Sequence, residues 1–127
     1  MRSDIRVLIV DDSAMVRGVL SRELGKERGI TVVGAAPDPY VARDMIVRLK
    51  PDVLTLDIEM PRMDGFEVAS FVRHDEALRD TPICMITSRT GQKHRERALS
   101  IGVNEYLGKP FQESELLDTI ERLTGDN

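Results

Sequence analysis

Two kinds of apolar pattern alternate along the chain. The first is short and nearly unbroken: Ile5–Val10 (IRVLIV), Ile30–Ala35 (ITVVGA), Asp52–Asp57 (DVLTLD), Pro82–Ile86 (PICMI) and Val103–Gly108 (VNEYLG). Runs of this length, rich in β-branched residues, predict strands covered on both faces. The second kind repeats at helical spacing. Val16, Val19, Leu20 and Leu24 follow Ser13, a suitable N-cap, and Gly29 is the expected stop. Val41, Ala42, Met45, Ile46 and Leu49 follow Asp38 and Pro39, a cap and a first-turn proline. That helix should close at Lys50, because a residue before proline is pushed out of the α region. Phe66, Ala69 and Val72 mark a third helix entered through Asp64-Gly65, and the polar stretch Arg73–Thr81 reads as a loop. Gly91–Ser100 is helical in spacing but polar, anchored only by Ala98, Leu99 and Ile101, with Gly102 as its C-cap. Glu113–Leu123 turns Leu116, Leu117, Ile120 and Leu123 inward.

Five predicted strands thus alternate with five predicted helices. Short crossovers force parallel pairing, so the expected class is α/β, a three-layer sandwich. A flavodoxin-like (βα)5 sheet of order 2-1-3-4-5 fits a chain of this size, although the pattern alone leaves the order open. The Thr and Gly of the second strand suit an edge position. One domain over residues 1–124 and a short tail, 125–127, account for the 127 residues.

Composition narrows the function classes. A hydrophobic fraction of 41% with 31% charged residues is ordinary for a globular domain, and the near absence of aromatics makes the core aliphatic. The net charge of −4 argues against nucleic acid as a direct partner. A single cysteine, Cys84, excludes an internal disulfide and a multi-cysteine zinc site, and its apolar run makes it a core residue. No apolar run approaches the roughly 20 residues of a membrane span. No signal peptide is visible, so the expected setting is the cytoplasm.

The chemistry gathers where the apolar runs end. Asp11 and Asp12 follow the first, Asp57 the third, Thr87 and Ser88 the fourth, and Lys109 the fifth. In open parallel sheets the site lies at these carboxyl ends. A strand that delivers a carboxylate to its own end presents a nucleophile or a metal ligand. Oxygen donors without His or Cys suit a hard cation such as Mg2+ rather than Zn2+. With a cation present, phosphoryl transfer onto a carboxylate is the natural reaction, and Asp57 is the best nucleophile because of its central strand. Lys109 supplies a mobile positive charge and Thr87 a hydroxyl donor.

The set Asp11-Asp12, Asp57 within LDIEMPRMDG, Thr87-Ser88 and Lys109-Pro110 resembles the receiver domain of two-component response regulators over essentially the whole chain. The resemblance implies that Asp57 takes a phosphoryl group from a histidine kinase. It further implies Mg2+ (or Mn2+) on Asp12, Asp57 and the backbone oxygen of Glu59, with Asp11 acting through water. Lys109 would pair with the phosphoryl group, Thr87 would shift toward it and Tyr106 would turn inward. A cis Lys109-Pro110 bond is implied as well. The fourth helix, fifth strand and fifth helix would form the face that meets a downstream effector. No nucleic acid or membrane is expected as a direct partner, and the chain should be a monomer or weak dimer, catalysing only its own phosphorylation and dephosphorylation. Asp11–Gly65 is most similar to the receiver of the chemotaxis protein-glutamate methylesterase, and Met85–Leu117 to receivers of chemotaxis-type hybrid kinases. The chain could therefore be a lone receiver, a fragment, or a mosaic joined near Gly65–Asp80; the methylesterase domain is absent.

Blander readings stand beside these. Each aspartate alone could be a helix cap or a surface acid, and their coincidence at matched strand ends is what speaks for function. Arg89, Lys93, His94, Arg95 and Arg97 read as a solvated helix face before a docking patch, and His74 and His94 as surface residues. A haloacid dehalogenase-type phosphatase would want Asp-x-Asp after the first strand, whereas the chain has Asp11-Asp12-Ser13-Ala14. A flavodoxin-type flavin carrier would need a phosphate loop there, and paired carboxylates repel phosphate. A degenerate receiver that binds partners without phosphorylation is the nearer alternative.

Overall fold

The computed structural model describes residues 4–57, 65–87, 91–109 and 111–124. Ten elements alternate: β1 (Ile5–Val10), α1 (Ala14–Gly25), β2 (Ile30–Ala36), α2 (Pro39–Leu49), β3 (Val53–Leu56), α3 (Gly65–His74), β4 (Ile83–Thr87), α4 (Gln92–Ile101), β5 (Glu105–Gly108) and α5 (Glu113–Leu123). The strands form one parallel sheet in the order β2-β1-β3-β4-β5. This is the expected flavodoxin-like sandwich, with β2 at an edge.

The unbroken apolar strands have a direct cause. Leu8, Val10, Leu54, Leu56, Ile83 and Met85 pack in one cluster with α2, α3 and α4. Val7, Ile9, Val53, Cys84 and Ile86 pack in a second with α1 and α5. Both faces of the sheet are covered, and the positions of β3 and β4 are all buried, while the edge strand β2 leaves Thr31 exposed. Gly34 in β2 marks a register shift, where Val7 pairs with Val32 and Leu8 with Gly34. A Cβ there would come within 3.1 Å of Leu8 and 3.3 Å of Leu49, so the edge strand bends where α2 presses against it.

Helix ends follow local chemistry. Ser13 Oγ accepts from the Val16 N–H, and Asp38 Oδ1 accepts from the N–H groups of Tyr40 and Val41. Gly102 closes α4 in the left-handed region, φ 109°. Several expectations need correction. α1 ends at Gly25, before Gly29; Gly29 instead turns the chain, at φ 92°, into β2. α2 closes at Lys50 as expected, with Lys50 leaving the right-handed helical region for the left-handed one, φ 47°. Val19, Val41 and Leu99, expected inward, are exposed, because a helix lying on a sheet buries a narrower stripe than its apolar period covers. The stretch read as a polar loop holds the last turn of α3 and a buried Leu78. The tail 125–127 lies outside the described residues.

Candidate functional site

Strand ladders that run one residue past the strands fix the site. The Asp11 N–H donates to Ala36 O (3.1 Å), the Asp57 N–H to Val10 O (3.0 Å) and the Lys109 N–H to Thr87 O (2.8 Å). Each residue is thereby pinned at the backbone by the strand beside it, before any side chain is considered. The result is a concentration of charge. Carboxylate oxygens of Asp11, Asp12 and Asp57 all lie within 4.8 Å of one another. Asp11 and Asp57 are buried and Asp12 is exposed.

Lys109 Nζ lies 3.0 Å from Asp11 Oδ2 and 3.8 Å from Asp57 Oδ1. The other Asp11 oxygen accepts from the Ser13 N–H at 2.9 Å, so both are engaged. Among the described residues, a single ammonium paired with Asp11 and Asp57 stands beside a cluster of three carboxylates, and the imbalance of charge favours a divalent cation. The donor set fits such an ion, being oxygen-only, clustered, and open to solvent at Asp12. Glu59, the third implied ligand, lies outside the described residues, as do Ser88, Arg89 and Pro110.

Thr87, the last residue of β4, is fully buried, and Tyr106 is nearly so. Met85 pairs with Tyr106 and Thr87 with Gly108, which places Thr87 and Tyr106 on the same face of the sheet. That face is the one α4 covers, since Tyr106 packs in the cluster containing Ala98. The structure thus brings together Asp11, Asp12, Asp57 and Lys109, with Thr87 joined to Lys109 through the backbone and Tyr106 set in the layer beneath α4.

Sequence reasoning missed Arg17. Its guanidinium donates to the Asp11 carbonyl at 2.9 Å, holding the Asp11–Ser13 turn against α1. The signal was available: Arg17 stands one turn into a helix whose cap follows the acidic pair, so its side chain reaches back over that turn. Cys84, predicted to be buried, is so, and burial pushes its thiol up to about 12.

Known proteins share this fold and much of this sequence. The profile described as response regulator receiver domain matches residues 7–121. A protein-glutamate methylesterase/protein-glutamine glutaminase of Xanthomonas oryzae pv. oryzae is 49% identical over 112 residues, 87% of this chain and 30% of that protein. One from Syntrophus aciditrophicus is 50% identical over 111 residues, 85% of this chain and 31% of that protein. The chain thus spans about 30% of the length of these curated relatives. Each similarity runs through both halves of the chain, across Gly65–Asp80. Among solved structures, the response regulator domain of Thermotoga maritima CheB is 32% identical, with a TM-score of 0.87 and 98% of each chain covered. A chemotaxis response regulator of Vibrio cholerae is 34% identical, with a TM-score of 0.86, covering 95% of this chain and 99% of that one.

Proposed function

The chain belongs to the response regulator receiver family, and we propose that it is a phosphoacceptor of a chemotaxis-type two-component pathway, with Asp57 receiving the phosphoryl group of a histidine kinase. One observation carries this reading: three carboxylates within 4.8 Å of one another, with Lys109 Nζ 3.8 Å from Asp57. The reaction needs a nucleophilic oxygen and positive charge around the phosphoryl oxygens, and little else from the protein. An Asp57 oxygen attacks phosphorus; the phosphorus–nitrogen bond of the donor breaks, and its electron pair returns to the imidazole. Lys109, shared between Asp11 and Asp57, is placed to follow the new charge onto the phosphoryl group. The Thr87 hydroxyl, at the buried end of β4, would donate to the phosphoryl group as well. A bound Mg2+ or Mn2+, on Asp12, Asp57 and the Glu59 carbonyl with Asp11 acting through water, would neutralise the transferring oxygens.

The consequence would be a change in the face formed by α4, β5 and α5, where an effector domain or protein docks. α4 supports this reading because Ala98 is its single fully buried residue and its N-cap, Gly91, offers no side-chain hydrogen bond. Thinly anchored elements are where switches are built. Tyr106, buried beneath α4, is the residue through which Thr87 would act. Among the described residues no helix is long and apolar enough to cross a membrane, in keeping with a cytoplasmic setting. The chain would catalyse only its own phosphorylation and dephosphorylation, and a cis Lys109-Pro110 bond would help to aim Lys109.

The test is transfer from a radiolabelled, autophosphorylated chemotaxis-type histidine kinase in Mg2+ buffer. Label should pass to the wild-type chain, slowly to Lys109→Ala and not to Asp57→Asn. A wild-type chain that accepts phosphoryl from a small donor but from no such kinase would contradict the assigned donor.

A further inference from the structure

Three of the six large apolar side chains exposed among the described residues lie on α2: Tyr40, Val41 and Val47. Tyr40 and Val47 are 50% and 52% exposed. They line an open groove of about 550 Å3 between α2 and α3, together with Arg43, Asp44 and Phe71. Tyr40, Arg43, Asp44 and Val47 stand at i, i+3, i+4 and i+7, so they form one narrow helical stripe. That stripe has an unusual order, with apolar residues at both ends and opposite charges in the middle.

Such a stripe is its own complement. If a second copy of α2 lies antiparallel across the first, with a two-fold axis between positions 43 and 44, Tyr40 meets Val47 of the other copy. Arg43 then meets Asp44, and each contact occurs twice, as an isologous interface requires. The Arg43 guanidinium lies 4.5 Å from the Phe71 ring centroid, which uses its face and leaves its N–H edge able to donate to a carboxylate. Phe71 thereby serves as the floor that holds Arg43 in place. α1 offers no equivalent. Its exposed Met15 and Val19 are followed on the same side by Arg22 and Lys26, so an antiparallel pairing would set each charge against an apolar residue of the other copy.

We propose that α2 is a self-docking surface, through which two copies of the chain pair antiparallel in solution. A single helix pair buries less than the roughly 1,000 Å2 of a stable interface, so the dimer is weak and concentration-dependent. The pairing uses residues outside the acidic site and goes beyond the phosphoacceptor reading without depending on it.

Sedimentation equilibrium on the full chain tests the proposal. The wild type should pass from one chain toward two as concentration rises into the hundreds of micromolar. Asp44→Arg, which sets two like-charged pairs against each other, should weaken association about tenfold. Adding Arg43→Asp to that variant restores the opposite charges and should recover it. Val47→Arg should abolish association, and thermal melts of each variant separate a lost interface from a lost fold. A wild-type chain that stays monomeric to millimolar concentration would overturn the proposal and leave the groove to a different partner. So would a dimer indifferent to Val47→Arg and Asp44→Arg.

Discussion

At the amino ends of β4 and β5 the Arg73 guanidinium is matched by four oxygens, whereas at the carboxyl ends Asp11 and Asp57 share the Lys109 ammonium beside a third carboxylate, Asp12. Arg73 donates to the carbonyls of Gly102 (2.9 Å), Arg79 (3.0 Å) and Thr81 (2.7 Å) and to Asn104 Oδ1 (2.8 Å). Asn104 Oδ1 also accepts from the Ile83 N–H, so one side chain joins α3, the cap of α4 and the starts of two strands. Burial draws the Arg73 pKa below its ordinary value, opposed by Asp80, and the guanidinium stays charged. The contrast shows where each end directs its electrostatics. One end satisfies its charge within the fold; at the other, among the described residues, carboxylates outnumber the ammonium they gather around.

The largest effect should come from the satisfied end. Arg73→Ala leaves carbonyls unmatched and should lower the unfolding free energy by about 3 kcal/mol in urea melts. Once folded, it should still accept phosphoryl on Asp57. Equal loss of stability and of acceptance would dissolve the distinction between the ends. The opposite sign is expected at the other end. Asp57→Asn removes one of the crowded carboxylates and should raise stability by about 1 kcal/mol in cation-free buffer, measured the same way. Destabilisation there would mean that the cluster is already balanced.

Thr55 lies midway between the ends, in β3. Its buried hydroxyl has no hydrogen-bond partner among the described residues. Thr55→Val keeps the shape and removes the unmatched group, so it should stabilise by about 0.5–1 kcal/mol. The smallest effect near neutral pH belongs to Cys84, its neighbour in the β3–β4 register. Its thiol is raised to about 12 by burial first, then by Glu105. The stabilisation this represents is whole below the unfolded thiol pKa of roughly 8.5 and is lost as pH climbs toward the folded value. Thiol reagents at pH 8 should therefore label Cys84 only as fast as the chain unfolds, and rapid labelling would show that the sheet opens locally.

Residue chemistry explains what could be read in advance. Asp11, Asp57, Thr87 and Lys109 were legible because each ends an apolar run, and parallel strands bring their ends together. α5 was legible to the residue because Glu113–Leu123 is bounded and strongly two-faced. Val19, Val41 and Leu99 misled because periodicity shows which residues could share a face, and the width of the contact with the sheet decides which are covered. Arg73 and Leu78 were hidden in a polar stretch. Arg73 bonds mostly to backbone carbonyls, which every residue carries alike, two of them within its own stretch and one at Gly102. Val68, buried but absent from the predicted stripe of α3, lies between sheet and neighbouring helices in a layer covered on more than one side.

Intact mass spectrometry after incubation with acetyl phosphate and Mg2+ reads phosphorylation of Asp57 itself. The wild-type chain should gain one phosphoryl group, lose that gain when the divalent cation is chelated beforehand, and show none as Asp57→Asn. A wild-type chain that gains nothing, or an Asp57→Asn chain that gains a full equivalent, would contradict the assignment of Asp57 as the phosphoacceptor.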